Sequence, residues 1–300
     1  MKAVVIGLGT QGLKRKKSLI NKNFFVCSVD PKNKYAEEKN IINLKKYDYD
    51  TVFICVPDYL KKRYILHFIK KKKHIFVEKP LNLTQKDLLK IEELSNKYKI
   101  TFYVGYNHRF EPHLIKTKKY IEKKLLGKIY YLKIYYGNGT SKLVSKSWRK
   151  KNLDINNDLG SHLIDQLIFL FGFKNYKIIK SFKSQLENRT SNHSNIILKY
   201  DHILINFEMT YCSWENTLIF YLIGQKASIK IDNLCKWGTS IFKFQKRVFP
   251  SGKPKTISKK LNLPDPTWDF ELKYFNDLIS KKLKNNFKKD IFIKKFLKQL

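Results

Sequence analysis

The stretch that most restricts what this chain can become lies at its start. The short apolar run Ala3-Val4-Val5-Ile6 leads straight into Gly7-Leu8-Gly9-Thr10-Gln11-Gly12, after which residues 13–20 can form a helix. In the order strand, G-x-G-x-x-G, helix, the glycines permit a tight turn and a close approach of backbone. The free N–H groups of the helix N-terminus can then receive a pyrophosphate. A second apolar strand, residues 24–29, ends at Asp30, where a carboxylate can accept hydrogen bonds from both ribose hydroxyls of an adenosine. Asp30 favours NAD, because it would repel the 2′-phosphate of NADP; Lys32 and Lys34 soften that preference and leave NADP open. A plain turn role before Pro31 is the structural alternative for Asp30.

The same alternation continues. Residues 51–56 read as a third strand, followed by Pro57-Asp58 and a helix over 59–71, and residues 75–77 as a fourth, ending in Glu78-Lys79-Pro80. Thr84 then caps a helix to about residue 98, and residues 100–104 form another strand. Strands separated by helices of this length predict a parallel, doubly wound α/β sheet of Rossmann type, which binds its ligands at the carboxyl ends of the strands. Gly7, Pro57, Lys79 and the run Tyr106, Asn107, His108 and Arg109 fall at such ends and are expected to line one crevice.

The second half changes period. Residues 157–172, NDLGSHLIDQLIFLFG, read as a largely buried helix that at about 100° per residue carries Asp158, His162 and Asp165 on one narrow stripe. A titratable group left dry and unpaired costs on the order of 1–3 kcal/mol or more, so each of these needs a partner, water or a ligand. Mutual pairing of His162 and Asp165 inside a core is the purely structural alternative. Strand patterns follow at 129–136, 176–185, 194–200, 202–211, 216–223 and 227–231, with Ile203, Ile205, Phe207 and Met209 on one face. Residues 236–264 are polar and read as a hairpin or excursion. Trp268, Phe270, Leu272, Phe275, Leu278 and Ile279 form an amphipathic helix, and residues 285–300 a packed terminal one. The expected layout is a Rossmann domain over 1–120 and a C-terminal α+β domain with an open, largely antiparallel sheet over 121–300. The helix at about 267–281 is expected to return to the first domain.

Composition sets bounds. The 300 residues carry 61 Lys and Arg against 25 Asp and Glu, a net charge of +36. That balance invites a nucleic-acid reading, but the Lys is spread over every segment, with no recognition helix, RNP-like strand or zinc module, so no nucleic-acid partner is expected. The four cysteines have neither disulfide nor zinc spacing, so no metal is expected and a cytoplasmic setting is the natural one. No apolar run reaches the roughly 18 residues needed to span a bilayer, and the N-terminus lacks a signal-peptide layout.

The ordered motifs G-L-G-T-Q-G, V-P-D-x-x-K, E-K-P-L, G-Y-N-H-R-F and D-L-G-S-H-L-I-D resemble the glucose-fructose oxidoreductase and inositol dehydrogenase family, Gfo/Idh/MocA, over residues 1 to about 172. The resemblance implies that Lys79 lies beside the nicotinamide and steadies or protonates the substrate oxygen, that the Lys79-Pro80 peptide is cis, and that His162 is the general base. It also implies that Asp158 orients or shares protons with Lys79 and His162, that Asp165 holds a substrate hydroxyl, and that Tyr106 and Arg109 line the substrate pocket. Cofactor contacts would come from Gly7, Gly9, Thr10, Gln11, Gly12, Asp30, Val56, Pro57, Lys61, Glu78, Lys79 and Asn107, with Trp148 and Arg149 resembling a pair that touches the nicotinamide. Two departures stand out. Lys61 occupies a position where relatives carry His, and Asp154-Ile155-Asn156-Asn157 replaces a glycine run.

The implied activity is NAD(H)-linked oxidation or reduction of a secondary alcohol or ketone on a sugar, cyclitol or nucleotide sugar. Tyr135-Tyr136-Gly137-Asn138-Gly139 resembles relatives encoded with polysaccharide-building enzymes. A homo-oligomer through the open sheet is expected. The alternatives are an NAD-dependent glycoside hydrolase and a catalytically silent dinucleotide-binding regulator, against which the presence of Lys79, Asp158 and His162 speaks.

Overall fold

The structure, a computed structural model, describes residues 1–147, 149–152 and 154–300, with the backbone alone for Lys151 and Asn152. In chain order the elements are β1 (Ala3–Ile6), α1 (Thr10–Asn21), β2 (Phe25–Val29), β3 (Thr51–Ile54), α2 (Asp58–Lys70), β4 (His74–Glu78), α3 (Gln85–Lys97), β5 (Phe102–Gly105) and α4 (Pro112–Glu122). Then come β6 (Ile129–Gly137), α5 (Ser141–Ser145), α6 (Arg149–Asn152), a π-helical turn (Asn156–Gly160), α7 (Ser161–Phe171), β7 (Tyr176–Ser184), β8 (His193–Tyr200), β9 (Ile203–Thr210), β10 (Thr217–Gly224) and β11 (Ala227–Asp232). β12 (Ser240–Lys246), β13 (Lys255–Leu261), α8 (Thr267–Lys281) and α9 (Lys288–Leu297) complete the chain. Two compact units result: Met1–Asn107 with Trp268–Lys295, and His108–Thr267 with Phe296–Leu300. The expected division near residue 120 thus falls after Asn107, because α4 packs against α7 and belongs with the second sheet.

In the first unit, five parallel strands take the order β2-β1-β3-β4-β5. β1, β3 and β5 are buried at every residue, the unbroken apolar pattern of a parallel sheet rather than the alternation of a half-wet one. With β1 between β2 and β3, the connections leave it in opposite directions. That strand order makes the carboxyl end of β1 a topological switch point, where such sheets bind ligands. The core gathers Val5, Leu19, Phe53, Phe76 and Tyr103, completed by Leu272 and Phe275 from α8. Phe53 stacks on Phe76 at 4.7 Å and Phe275 meets Phe53 edge-on at 5.8 Å, which docks the C-terminal helix on this sheet.

In the second unit, eight strands run β13-β12-β11-β10-β6-β9-β8-β7; every pair is antiparallel except β6 with β9. The polar residues 236–264 are a true hairpin: β12 and β13 add two strands to the sheet's edge. Alternation sorts the two faces. Leu132, Ile134, Ile205, Phe207, Met209, Phe220 and Leu222 are buried on one side, while Tyr131, Tyr135, Leu204, Ile219, Tyr221 and Ile223 share the other by register. The expected continuous helix over 157–172 is corrected at its start, where Asp158 lies on the π-helical turn and only Ser161–Phe171 is α-helical. Such turns widen the backbone locally and are frequent at functional sites. The turn packs on β9, where a Cβ on Gly160 would meet the Met209 sulfur at 3.5 Å, an ordinary contact. Among the described residues no helix is long and apolar enough to cross a membrane.

Candidate active site

The glycine loop divides its labour. Gly7 has φ +91°, and a Cβ on it would lie 2.9 Å from the Cys55 carbonyl oxygen. A Cβ on Gly12 would come within 1.9 Å of the Gly7 carbonyl oxygen, so the turn closes only with glycine at both positions. A Cβ on Gly9 would meet nothing within 4 Å. That position caps α1, whose first turn carries no acidic residue, and the space beside it fits a pyrophosphate held by the N–H groups of Thr10, Gln11 and their neighbours. Asp30 follows β2 and accepts the Leu8 N–H at 2.7 Å and those of Lys32 and Asn33 at 2.8 and 2.9 Å. Burial works against its charge, but these backbone donors prevail and hold the carboxyl below its ordinary range. Asp30 is therefore both the turn residue and a fixed anion beside the glycine loop. Val56 and Pro57 follow β3, with Pro57 capping α2.

At the end of β4 the Lys79-Pro80 peptide is cis, as the resemblance implies. Lys79 is half-buried. Lys61, expected as a cofactor contact, is 2% exposed; its ammonium donates to the Pro80 carbonyl and sits 3.1 Å from Asp58. Burial lowers its proton affinity and Asp58 partly restores it. Glu78, also expected among the cofactor contacts, is buried and gives Oε1 to Arg15 Nε at 2.6 Å. Arg15 Nη2 donates to Glu271 Oε2 at 2.5 Å, and the guanidinium lies between the rings of Phe76 (4.3 Å) and Trp268 (4.2 Å). The Tyr103 hydroxyl donates to Glu271 Oε1 at 3.2 Å. Burial opposes the Arg15 charge, and the two carboxylates more than offset it. Burial pushes Glu271 up to about 7, with Arg15 pulling down and Glu78 pushing up. Tyr106 is buried, with the Lys289 ammonium 4.7 Å over its ring, and Asn107 is buried beside it in sequence.

The second unit holds the imidazole. His162, 5% exposed, is the second residue of α7 and stacks on His108, ring centroids 3.8 Å apart and planes 12° from parallel. Asp165 is fully buried and gives both oxygens to Arg109, Oδ2 to Nε at 2.9 Å and Oδ1 to Nη2. Asp165, expected to hold a substrate hydroxyl, is thus forked on a guanidinium. Asp158 Oδ2 accepts from Arg149 Nη2 and from the Tyr211 hydroxyl at 2.9 Å. Trp148 lies outside the described residues. Among the described residues no group of three His, Cys, Asp or Glu is placed to hold a metal.

Sequence reasoning missed Arg15, Glu271 and Lys236, and placed His108 at the crevice without a role. Arg15 had a signal, since it shares the buried stripe of α1 with Gly12, Ser18 and Leu19. Lys236 had none, being one lysine in a polar stretch.

Residues 1–106 match the oxidoreductase family with an NAD-binding Rossmann fold, and residues 114–230 match the GFO/IDH/MocA C-terminal domain. The chain belongs to the Gfo/Idh/MocA family of oxidoreductases. It is 30% identical over 129 residues to an uncharacterized oxidoreductase of Bacillus subtilis, covering 43% of this chain and 35% of that one. It is 26% identical over 170 residues to 2,7-anhydro-N-acetylneuraminate hydratase of Escherichia coli, covering 53% and 46%. The chain thus spans about half or less of the length of these curated relatives. Its fold matches that of levoglucosan dehydrogenase in complex with NADH, with TM-score 0.82 at 16% identity over 99% of this chain and 95% of the other.

Proposed function

We propose that this chain is an NAD(H)-dependent oxidoreductase that moves hydride between the nicotinamide and a secondary alcohol or ketone of a sugar, cyclitol or nucleotide sugar. The observation that carries the reading is the buried imidazole of His162 between two carboxylates, Asp158 and Asp165, each of which holds a guanidinium. When bound, the nicotinamide accepts the hydride. The chain must then take up the hydroxyl proton and steady the oxygen. His162 suits the first task, because an imidazole exchanges a proton near neutral pH, and Lys79, the cation of the E-K-P motif at the end of β4, suits the second. Arg109 and Arg149 offer fixed donors for further hydroxyls, or for the diphosphate of a nucleotide sugar. The carbohydrates named for the levoglucosan dehydrogenase and the neuraminate hydratase support that substrate class.

The test is the purified protein with NAD or NADP against a panel of sugars, cyclitols and nucleotide sugars, read by absorbance of reduced nicotinamide. His162→Ala and Lys79→Ala should each lower turnover by about 10²–10⁴-fold while calorimetry shows NAD still bound. Full turnover in either variant overturns its role. The hydratase among the relatives favours a second reading, since hydration leaves the net oxidation state unchanged. In that case product would form without accumulating NADH, on a cofactor retained through purification. The outward aromatic and aliphatic face of β6, β9 and β10 supports a homo-oligomer across that sheet, which sedimentation checks, and the free cysteines support a cytoplasmic setting.

A further inference from the structure

Behind the His162 ring lies a second device. His108 is 1% exposed and its Nε2 is 2.6 Å from the Lys236 ammonium. An ammonium has only N–H groups to offer, so His108 Nε2 accepts, which fixes that ring as the neutral tautomer with its proton on Nδ1. Lys236 is itself held in place, its ammonium 4.4 Å over the Trp237 ring and 5.9 Å from that of Tyr136, in the turn that follows β11. The neutral ring then lies flat on His162.

We propose that Lys236 and His108 are positioning residues that keep His162 unprotonated, and therefore able to accept a proton, at neutral pH. The proposal rests on the reading of His162 as the base. A proton on His162 would bring a second cation up to the one on Lys236, with a single ring between them, and the stacked pair cannot share the charge because Lys236 occupies His108 Nε2. The charges on the elements packed around the pair are largely matched. Asp158 and Asp165 on the same helical segment carry Arg149 and Arg109. From α4, Lys118 lies over Phe169, farther along α7. Glu208 on β9 pairs with Lys133 at 3.8 Å. Tyr136 and Tyr211 contribute hydroxyls that burial keeps protonated. Glu111, before α4, takes the Cys235 N–H at 3.4 Å, and burial pushes it up to about 7, so it carries little charge on the acid side of neutrality.

Lys236→Met removes the cation and Lys236→Arg keeps it. In Lys236→Met the acid limb of the kcat/KM profile should move up by about one pH unit, a roughly ten-fold loss well below the midpoint. In Lys236→Arg it should stay near the parent. NMR titration of the imidazole Cε1–H signals, assigned with His108→Asn and His162→Asn, should show the pair protonating at higher pH in Lys236→Met and His108 as the Nδ1–H tautomer in the parent. Unchanged titration in Lys236→Met, an equal shift in Lys236→Arg, or the opposite tautomer overturns the assignment. If His162→Ala keeps full turnover while the NMR shift appears, the general-base reading falls and the tuning stands.

Discussion

Two buried charge clusters solve opposite problems. In the first unit, Arg15 meets Glu78 and Glu271 directly and is sealed between Phe76 and Trp268. Every charge there touches its partner, and the cluster ties α1, the end of β4 and α8 into one piece. In the second unit the guanidinium pairs stand to either side, at Asp158 and Asp165, while the two central imidazoles stack on each other. A cluster meant to hold shape cancels its charges at contact distance. The one proposed to transfer a proton leaves its central group able to change charge, and fixes the charges around it instead.

That contrast breaks most sharply at Arg15. Arg15→Met leaves Glu78 and Glu271 buried without their cation, and removing one partner from such a set costs about 3–5 kcal/mol. Urea unfolding of Arg15→Met should show a loss of that size, part of it recovered when Glu271→Gln is added. A loss below about 1 kcal/mol, the range of surface ion pairs, would place the network among ornamental contacts.

Glu111 sharpens the contrast from the other unit. Burial first, then the nearby Asp265, pushes it up to about 7, above the ordinary value near 4.3 of an unfolded glutamate. The folded chain thus binds the proton more tightly, so the stabilisation is present below about pH 4.3 and is lost as pH rises through about 7. The loss amounts to roughly 4 kcal/mol at most. Urea midpoints on either side of that window should diverge less in Glu111→Gln than in the parent. An equal divergence would mean that Glu111 does not titrate across it.

The first unit was largely legible because its constraints are local. Gly7 and Gly12 are forced by backbone closure, Asp30 by its place at the end of a strand, and each strand by an unbroken apolar run. Glu78 was visible as a motif residue, whereas Glu271, the second carboxylate on Arg15, lies far along the chain, on a helix whose apolar stripe alone gave no sign of a buried carboxylate. In the second unit the strands were read from alternation; β13 was blurred because it is exposed at all but its last residue, and β12 because its buried face, Ser240, Phe242 and Phe244, is short and lies in a lysine-rich stretch. The stripe of Asp158, His162 and Asp165 was legible, but the π-helical turn was not, since one extra residue per turn leaves no mark in composition. Nor could spacing reveal that Asp165 is committed to Arg109, or that Lys236 reaches His108 across the sheet's connections.

The finest test uses one atom from each cluster. Tyr103 in the first unit and Tyr211 in the second each donate a phenol hydroxyl to a carboxylate already held by a guanidinium, to Glu271 at 3.2 Å and to Asp158 at 2.9 Å. Deleting either hydroxyl removes one hydrogen bond and leaves the ion pair, so Tyr103→Phe and Tyr211→Phe should each cost about 0.5–1.5 kcal/mol of stability. Their kinetic consequences should part. Glu271 belongs to a cluster that holds shape, so Tyr103→Phe should leave the pH profile of kcat where it was. Asp158 lies one turn before His162, and with one donor fewer its negative charge acts more strongly on the imidazole. Tyr211→Phe should therefore move the acid limb of kcat upward, in the same direction as Lys236→Met but by less. If both phenols act only on stability, or if Tyr103→Phe moves the limb as far as Tyr211→Phe, the two clusters do not differ in kind.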